Sequence, residues 1–472
     1  MPAIVTNKFR LNNAEQFYES FAEASTSYYL FVGRPQAWTA TTPYGGGTDS
    51  APPTPLDNVD DEYMYFRDML AAKRIATADI QYAIPRHNWD TTQTTVYDYY
   101  RGDYGAQWSS TASDIVKTVN NGTNLWASTT LFYVLTSTNN VYKCMSNNGG
   151  VASTVEPSGT ANVEYSTADG YWWKYMYTLT TSHITDFLTA DFMPVVTNAT
   201  VSTAAIDGEI RQYKVERGGA GYSDNSYEIT LGGDGPLRSG TAAVVTVVVS
   251  GGAVTSAVVK TAGSKYTFAT VTMPAGAGSP STAAIITPII PPPKGHGYNA
   301  VEELGGFYIM TNTTIAGTEG GGDFVVDQDF RRVGVVLNPY NYNTQVVATA
   351  STMNALKSMT FSGTPGTFLV DEAITGGTSG AKGLVVAWDA TSKILKYIQT
   401  QWTGVSATLP YNEVAFAVAE VVTSTSLATG TIASLTNPEI DYYSGNTIYV
   451  EDRAPISRAT DQTENIKLIV EF

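Results

Sequence analysis

The first apolar pattern along the chain has the period of an amphipathic helix. Its apolar positions, at steps of three and four residues, are Ala14, Phe17, Phe21, Ala24 and Tyr28. Asn12 or Asn13 is expected to cap the start of this helix. The acidic residues on its other face are Glu15, Glu19 and Glu23. We interpret that face as solvated, and a face for a basic partner is the alternative.

A second helix is predicted after the Pro-rich stretch 52–55. Asp60, Asp61 and Glu62 open it, and Lys73 and Arg74 close it, an order that suits the helix dipole. Its expected buried positions are Tyr63, Phe66, Met69 and Leu70. A calcium loop needs regularly spaced oxygen ligands and a turn glycine, so the acidic trio indicates a helix start rather than a metal site.

After Pro85 the pattern changes to that of short strands. Residues 131–136 and 141–145 flank the polar stretch 137–140, which predicts a hairpin. Large side chains occupy both alternating sets of positions in 172–179, so we expect that strand to be covered on both faces. Further strands are predicted at 332–337, 447–451 and 465–471. The chain is therefore expected to be mainly β, with two or three short helices near the N-terminus.

Two stretches have the composition of separate β-modules. In the first, residues 215–223 are echoed by residues 259–267, within a Gly/Val/Thr-rich region from about 212 to 293. Two copies are too few for a solenoid. The second stretch, from about 360 to 436, combines strand-like runs with Gly-rich turns. We interpret both as insertions, because loop-closure entropy grows slowly with insertion length.

Composition and charge narrow the class of protein. Hydrophobic residues make up 43% of the 472 positions and charged residues 15%, which favours a buried core over disorder. The net charge of −16 gives no broad footprint for nucleic acid. With Cys144 as the single cysteine, the chain has no intramolecular disulfide and no thiolate-rich metal site. The N-terminus lacks a secretory h-region, and the uncharged stretch 239–259 alternates like strands, so we expect no membrane insertion.

A search for catalytic and metal-binding residues finds only weak candidates. His87, His183 and His296 share no metal-ligand spacing, and we interpret each as structural. Cys144 is expected to be a small buried hydrophobe rather than a nucleophile. Asp327 and Asp329 are a conceivable carboxylate pair for glycoside hydrolysis, but a chain with 43 acidic residues offers many such pairs.

One glycine-rich loop superficially resembles a phosphate-binding loop. Residues 376–383 fail that pattern, because the required Lys-Ser or Lys-Thr pair is missing. We therefore expect no catalytic, cofactor-binding or metal-binding residue, no cofactor and no enzymatic activity.

Several blocks considered together resemble a known family. They are 8–10 (KFR), 14–17 (AEQF), 29–35 (YLFVGRP), 67–74 (RDMLAAKR), 84–89 (IPRHNW), 141–144 (VYKC), 153–157 (STVEP), 169–177 (DGYWWKYMY), 192–195 (FMPV), 448–456 (IYVEDRAPI) and 461–467 (DQTENIK). As an ensemble they resemble the baseplate wedge subunit, gene product eight, of T-even-type contractile-tailed phages. The resemblance covers about 1–200, 294–345 and 437–472, and the two β-modules look like additions to it.

The resemblance implies a β-sandwich architecture in two domains, the second inserted into the first, and no catalysis. It implies a homodimer in the virion tail baseplate that contacts other wedge subunits, assembles in the host cytoplasm and takes part in rearrangement during tail contraction. The expected domains are a discontinuous core (1–85, 294–359 and 437–472), an inserted β domain (86–211) and the modules 212–293 and 360–436.

Two alternatives stay open. A receptor- or glycan-binding tail protein would act through the inserted modules, where exposed aromatic residues would favour it; Tyr222, Tyr266 and Trp402 are the candidates. A polysaccharide-degrading tail enzyme would need a cleft with two close carboxylates.

Overall fold

The computed structural model describes residues 4–39, 46–105, 109–111, 114–118, 124–400, 402–403 and 412–472. Within these residues the fold is mainly β, with antiparallel sheets and a few short helices, so the expected fold class is confirmed. In this part of the chain, none of the helices combines the length and apolarity that crossing a bilayer requires.

The helices are short, and most connect strands. The α-helices are α1 (Asn7–Ser20), α2 (Val59–Arg67), α3 (Thr181–Phe187), α4 (Ala199–Ala204) and α5 (Ala300–Leu304). The 3-10 helices are Thr77–Asp79, Pro236–Arg238, Ala275–Ala277 and Glu319–Gly321.

The strands are numbered in chain order. The first seventeen are β1 (Tyr28–Gly33), β2 (Met69–Arg74), β3 (Ile80–Pro85), β4 (Ser109–Thr111), β5 (Asp114–Thr118), β6 (Tyr133–Leu135), β7 (Asn140–Asn147), β8 (Tyr165–Ser166), β9 (Tyr171–Thr178), β10 (Phe192–Pro194), β11 (Gln212–Arg217), β12 (Asn225–Thr230), β13 (Gly232–Gly233), β14 (Val244–Ser250), β15 (Ala253–Thr261), β16 (Ala269–Thr270) and β17 (Ile285–Ile289). The others are β18 (Tyr308–Ala316), β19 (Asp329–Leu337), β20 (Thr352–Asn354), β21 (Lys357–Ser362), β22 (Ala373–Gly376), β23 (Lys382–Asp389), β24 (Ile394–Gln399), β25 (Trp402–Thr403), β26 (Asn412–Glu413), β27 (Val421–Ser424), β28 (Thr429–Thr436), β29 (Asn446–Ser457) and β30 (Thr463–Glu471).

The chain divides into two compact units. Unit 1 consists of Met1–Glu15, Gln81–Met310 and Ile469–Phe472, and unit 2 of Gln16–Ile80 and Thr311–Leu468. Unit 1 contains the four-stranded sheet β6-β7-β9-β8 and the three-stranded sheet β12-β14-β15. Unit 2 contains the five-stranded sheet β20-β2-β1-β19-β29 and a closed barrel, β21-β24-β23-β22-β27-β28.

The first predicted helix exists, but its limits differ from the prediction. Helix α1 begins at Asn7, where Thr6 Oγ1 accepts a hydrogen bond from the Phe9 N–H at 3.2 Å, so Asn12 and Asn13 lie inside it rather than at its cap. Tyr28 belongs to β1, not to the helix. All six residues of β1 are buried, and β1 pairs with both β2 and β19, so ladder bonding and burial override the helical spacing.

The acidic face of α1 is solvent-exposed, as expected, since Glu15, Glu19 and Glu23 all belong to the exposed class. The second helix starts as predicted, with Asp60, Asp61 and Glu62 in its first turn. Asn58 caps it by accepting a hydrogen bond from the Asp61 N–H at 3.0 Å.

The predicted end of the second helix is wrong. Helix α2 ends at Arg67, and Lys73 and Arg74 end strand β2. Met69 and Leu70 are buried in that strand, which lies between β1 and β20. Pairing with β1 and β20 satisfies the backbone of β2 as well as a helix would, and it also buries the first four residues of the strand.

The predicted strands after Pro85 are confirmed. Strands β6 and β7 form the expected hairpin, with Tyr133 opposite Lys143. Strand β9 is buried on both faces, because six of its eight residues are buried. Its side chains contribute to two hydrophobic clusters of unit 1, one around Phe132 and Tyr177 and one around Tyr97 and Trp173.

Each predicted β-module contains a hydrophobic cluster. In the 212–293 module, Val245, Val247 and Tyr266 belong to one such cluster. The 360–436 stretch forms most of the barrel, and its interior includes Met359, Val385 and Leu395. The barrel begins and ends on adjacent strands, since β21 pairs with β28.

Candidate functional site

The histidines that the sequence offered are dispersed over the described chain. Burial lowers the pKa of His87 to about 4, and burial also lowers the pKa of His183, whose Nδ1 lies 3.0 Å from Thr180 Oγ1. Within the described residues, no group of three or more His, Cys, Asp or Glu side chains could hold a metal ion. Cys144 is fully buried, and burial raises its pKa well above the usual thiol value, as expected for an inert cysteine.

The glycine-rich loop at 376–383 holds an anion from the chain itself. The N–H groups of Thr378 and Ser379 donate to Glu420 Oε2 at 3.1 and 2.9 Å. The Ala417 N–H donates to the other oxygen of the same carboxylate at 2.6 Å. Burial opposes ionisation of Glu420, but these hydrogen bonds outweigh it and lower its pKa. The backbone donors that give such loops an affinity for phosphate are therefore satisfied internally.

One member of the candidate carboxylate pair, Asp329, is engaged in an ion pair and a hydrogen bond. Asp329 accepts a hydrogen bond from Arg331 Nη2 at 2.9 Å and another from the Ser457 hydroxyl. Arg331 also donates to both carboxylate oxygens of Asp49 at 3.0 Å. Asp329 thus belongs to a chain of ion pairs at the end of β19.

Two of the aromatic residues proposed for glycan binding are core residues. Tyr222 and Tyr266 are 8% and 2% exposed. The Tyr222 hydroxyl accepts the Ala284 N–H at 2.8 Å, and the Tyr266 hydroxyl accepts the Ala243 N–H at 3.0 Å. These two residues are therefore not the exposed aromatic residues that would favour glycan binding, because in each repeat copy the hydroxyl satisfies a backbone donor inside the module. The side chain of Trp402 lies outside the described residues.

A buried cluster of charges in unit 1 was missed by the sequence reasoning. Lys143 on β7 forms an ion pair with Glu303 on α5, and both side chains are almost fully buried. Lys143 Nζ also lies 2.9 Å from His296 Nδ1 and donates to the Tyr104 hydroxyl at 3.1 Å. The Gly297 N–H donates to Glu303 Oε1 at 2.7 Å. A lysine at an alternate position of an apolar strand was the one available signal.

The ionisation states of Glu303 and His296 indicate a structural rather than a reactive cluster. Burial opposes ionisation of Glu303, but the charge of Lys143 outweighs it and lowers the pKa of Glu303 to about 2. Burial, assisted by Lys143, lowers the pKa of His296 to about 4. At neutral pH the cluster therefore contains an ion pair beside a neutral imidazole, enclosed by Tyr100 and Tyr104. A substrate has no access to atoms that are this deeply buried.

Unit 2 contains a second buried ionic cluster. Arg332 on β19 is 2% exposed and donates from Nη1 to both oxygens of Asp68 at 3.0 and 3.1 Å. Its Nε and Nη2 donate to the two oxygens of Asp452 on β29 at 2.6 and 3.2 Å. One guanidinium thus joins the end of α2 to two strands, in the planar geometry that arginine favours.

The concave surfaces of the described residues include one groove in unit 1 and one pocket in unit 2. In unit 1, a groove of about 530 Å³ runs past Tyr99, Trp172, Tyr213 and Val258. In unit 2, a pocket of about 740 Å³ lies at one end of the barrel, and we call it the barrel-end pocket. Its apolar wall consists of Phe324, Val325, Val370, Trp388 and Ile394.

A family model described as "Bacteriophage T4, Gp8" matches residues 3–204. Over this segment the chain is similar to Gp8. Gp8 is a structural protein of the phage baseplate wedge. A search of curated proteins found no match.

The Gp8 match covers somewhat less than half of the chain and ends after α4. Both buried ionic clusters tie the matched segment to residues beyond it. Lys143 lies inside the match and Glu303 outside, and Asp68 lies inside while Arg332 and Asp452 lie outside. The Gp8-like segment is therefore folded together with later parts of the chain. The resemblance at 294–345 and 437–472 stays a prediction.

Proposed function

We propose that this chain is a member of the Gp8 family and a homodimeric subunit of the baseplate wedge. In this role it joins neighbouring wedge proteins and takes part in the baseplate's rearrangement during tail contraction. The family match over residues 3–204 carries this proposal. We propose a structural rather than a catalytic role, without a cofactor, in a virion assembled in the host cytoplasm.

The buried ionic clusters support a structural role. Each joins segments far apart in sequence, such as Lys143 with Glu303 and Asp68 with Arg332. Breaking one partner of a buried pair leaves an uncompensated charge, so such clusters oppose partial unfolding within each unit. Resistance to local unfolding is what a subunit needs when neighbouring proteins move against it.

An exposed apolar segment in the Gp8-like part supports contact with other subunits. Ile4, Val5 and Phe9 are 84%, 67% and 55% exposed. Several large exposed apolar side chains within one short segment favour an interaction site there. The net charge of −16 would steer the chain toward basic neighbours.

We also propose the four-part division into a discontinuous core (1–85, 294–359 and 437–472), an inserted domain (86–211) and the modules 212–293 and 360–436. Hydrophobic clusters within each module support the separate status of the last two. The ion pairs between early and late segments are consistent with a discontinuous core.

The mass of the purified full-length chain in solution tests the dimer. Light scattering coupled to size-exclusion chromatography at micromolar concentration should give twice the 50.6 kDa chain mass. A strict monomer under these conditions would contradict the homodimer. Density maps of the tail before and after contraction test the location in the wedge and the part in the rearrangement. The proposal fails if the chain lies outside the wedge or keeps identical contacts in both states.

A further inference from the structure

The groove in unit 1 is lined by aromatic side chains. Tyr99 and Trp172 of β9 line it together with residues of β11 and β15. Trp172 is half-buried, whereas its neighbours Tyr171 and Trp173 are fully buried in the core of unit 1. Because successive residues of a strand point to opposite faces, Trp172 turns away from that core and toward the groove.

Strand β11 brings an amide to the same groove. Tyr213 and Val215 pack against the hydrophobic cluster of the 212–293 module. The alternation of the strand therefore places Gln212 and Lys214 on the opposite face, where both line the groove. Val258 of β15, which is 49% exposed, adds apolar surface to the lining.

The amide of Gln212 is buried and unpaired. Its Oε1 and Nε2 atoms are both shielded from solvent, and neither has a hydrogen-bond partner within the described part of the chain. Buried polar groups in native proteins are nearly always hydrogen-bonded, so an unpaired one requires an explanation. A ligand that both donates and accepts hydrogen bonds supplies it, because an amide presents an acceptor and a donor side by side.

The charges around the groove favour an uncharged ligand. Arg211 is paired with Glu164 at 3.2 Å and with Glu209. Lys214 is paired with Glu216 at 3.0 Å. The described residues that line the groove include no Asp or Glu. Since each of these two cations already has a carboxylate partner, an ionic ligand gains little here, and the net charge of −16 disfavours nucleic acid.

The strands beside the groove do not suit an extended peptide. Peptides that bind to sheets add to a free strand edge. The free edges of β11 and β15 are joined at both ends by backbone hydrogen bonds. The Ile210 N–H donates to the Ala262 carbonyl at 2.9 Å, and the Val254 N–H donates to the Gly218 carbonyl at 2.8 Å. A peptide strand therefore cannot enter between these two edges.

A neutral saccharide has the features that this groove would recognise. The C–H groups of a pyranose ring form an apolar face that packs against an aromatic ring. Hydroxyls on adjacent carbons each donate and accept hydrogen bonds, which matches the amide of Gln212. The groove volume of about 530 Å³ lies within the usual range for small-molecule sites.

We propose that the groove in unit 1 binds a neutral saccharide, with Trp172 packed against a sugar ring and Gln212 hydrogen-bonded to adjacent hydroxyls. This binding activity goes beyond the structural role in the wedge and does not depend on the homodimer.

Saturation-transfer NMR of the full-length chain with maltose, lactose and diacetylchitobiose tests the proposal. We expect transfer to the ring protons of at least one of these neutral disaccharides. Trp172→Leu keeps an apolar side chain but removes the ring face, so it should raise the dissociation constant by about tenfold. The matched control is Phe268→Leu, which changes a 57% exposed aromatic residue of unit 1 outside the groove lining and should leave the dissociation constant unchanged.

A second variant separates ligand binding from folding. Gln212→Leu removes the amide at similar volume, so it should also weaken binding by about tenfold. The same change should raise the urea midpoint of unfolding, because a buried unpaired amide opposes folding and an apolar side chain does not. A lower midpoint would show that the amide serves the fold, and the role of Gln212 in binding would then be wrong.

Three further results would overturn the saccharide site. The first is an absence of transfer to all three disaccharides. The second is binding that is unchanged in both Trp172→Leu and Gln212→Leu, which would place the sugar elsewhere on the chain. The third is tighter binding of a capped tetra-alanine peptide than of the disaccharides, which would indicate a peptide site. None of these results bears on the proposed wedge role or the homodimer.

Discussion

At the scale of single residues, the buried ions are the most consequential feature of the chain. Lys143 and Glu303 are both within a few per cent of complete burial, where an unpaired charge is very costly. Lys260 and Glu228 form an ion pair of the same chemistry on the surface, with about half of each side chain exposed. A Lys–Glu ion pair is therefore expected to matter much more for stability when it is buried than when it is exposed.

Removing one partner of the buried pair should destabilise unit 1 strongly. We expect Lys143→Met to lower the free energy of unfolding by about 3–5 kcal/mol, because Glu303 is left as an uncompensated buried charge. Lys260→Met, the matched surface control, should change it by less than about 1 kcal/mol. Urea unfolding measures both.

The double variant Lys143→Met/Glu303→Leu sharpens this test. It removes both charges, so it should recover part of the stability lost in Lys143→Met. If Lys143→Met and Lys260→Met were equally mild, the structural role assigned to the buried cluster would be wrong.

At the scale of elements, the repeated segment in the 212–293 module shows why its pattern recurs. Gly219 and Gly263 occupy equivalent positions in the two copies and have φ values of 72° and 67°. Each precedes a tyrosine whose hydroxyl accepts a backbone N–H in the module. The repeat therefore encodes a turn followed by an internal hydrogen bond.

Two glycine substitutions in this module should differ in cost. Gly219 and Gly251 both have positive φ, but a Cβ at Gly219 would lie 2.6 Å from the Thr282 carbonyl oxygen, whereas one at Gly251 meets nothing within 4 Å. We expect Gly251→Ala to cost about 1 kcal/mol from backbone strain and Gly219→Ala about 3 kcal/mol from strain plus steric overlap. Thermal unfolding of the two variants checks the difference, and equal costs would refute the steric argument.

At the scale of the whole molecule, the barrel is the part that we expect to fold without the rest of the chain. It is closed, its interior contains a hydrophobic cluster, and the strands that begin and end it pair with each other. A closed barrel has no free sheet edge, so it needs no neighbouring sheet to satisfy its backbone. Its ends are therefore suited to insertion into, or excision from, a host sequence.

The segment 355–438, expressed alone, should fold. We expect a β-type circular dichroism spectrum and a single cooperative thermal transition, because closure and the internal cluster are both retained. Leu395→Asp, which places a charge at a fully buried position, is the control and should abolish the transition. A non-cooperative wild-type segment would show that the barrel depends on the rest of the chain.

Local chemistry determined the features that depend on near neighbours. The period of apolar positions predicted strands β6, β7 and β9, and the acidic trio with Asn58 marks the start of α2. The single cysteine and dispersed histidines predicted a chain without readable catalytic motifs, and the resemblance to Gp8 came from blocks of ordinary structural residues. These features depend on short stretches of sequence, so the spacing and type of the residues are enough to predict them.

Tertiary structure decided everything that depends on partners distant in the chain. Strand pairing placed Tyr28 in β1 and ended α2 at Arg67, because ladder bonds and burial outweigh local helical spacing. Glu420 accepts hydrogen bonds from the loop that resembled a phosphate site, which lies 41 residues earlier in the chain. Lys143 pairs with Glu303, which is 160 residues away in sequence. The tyrosines of the repeat turned inward for the same reason: their hydroxyls satisfy backbone donors that only the folded module brings within reach.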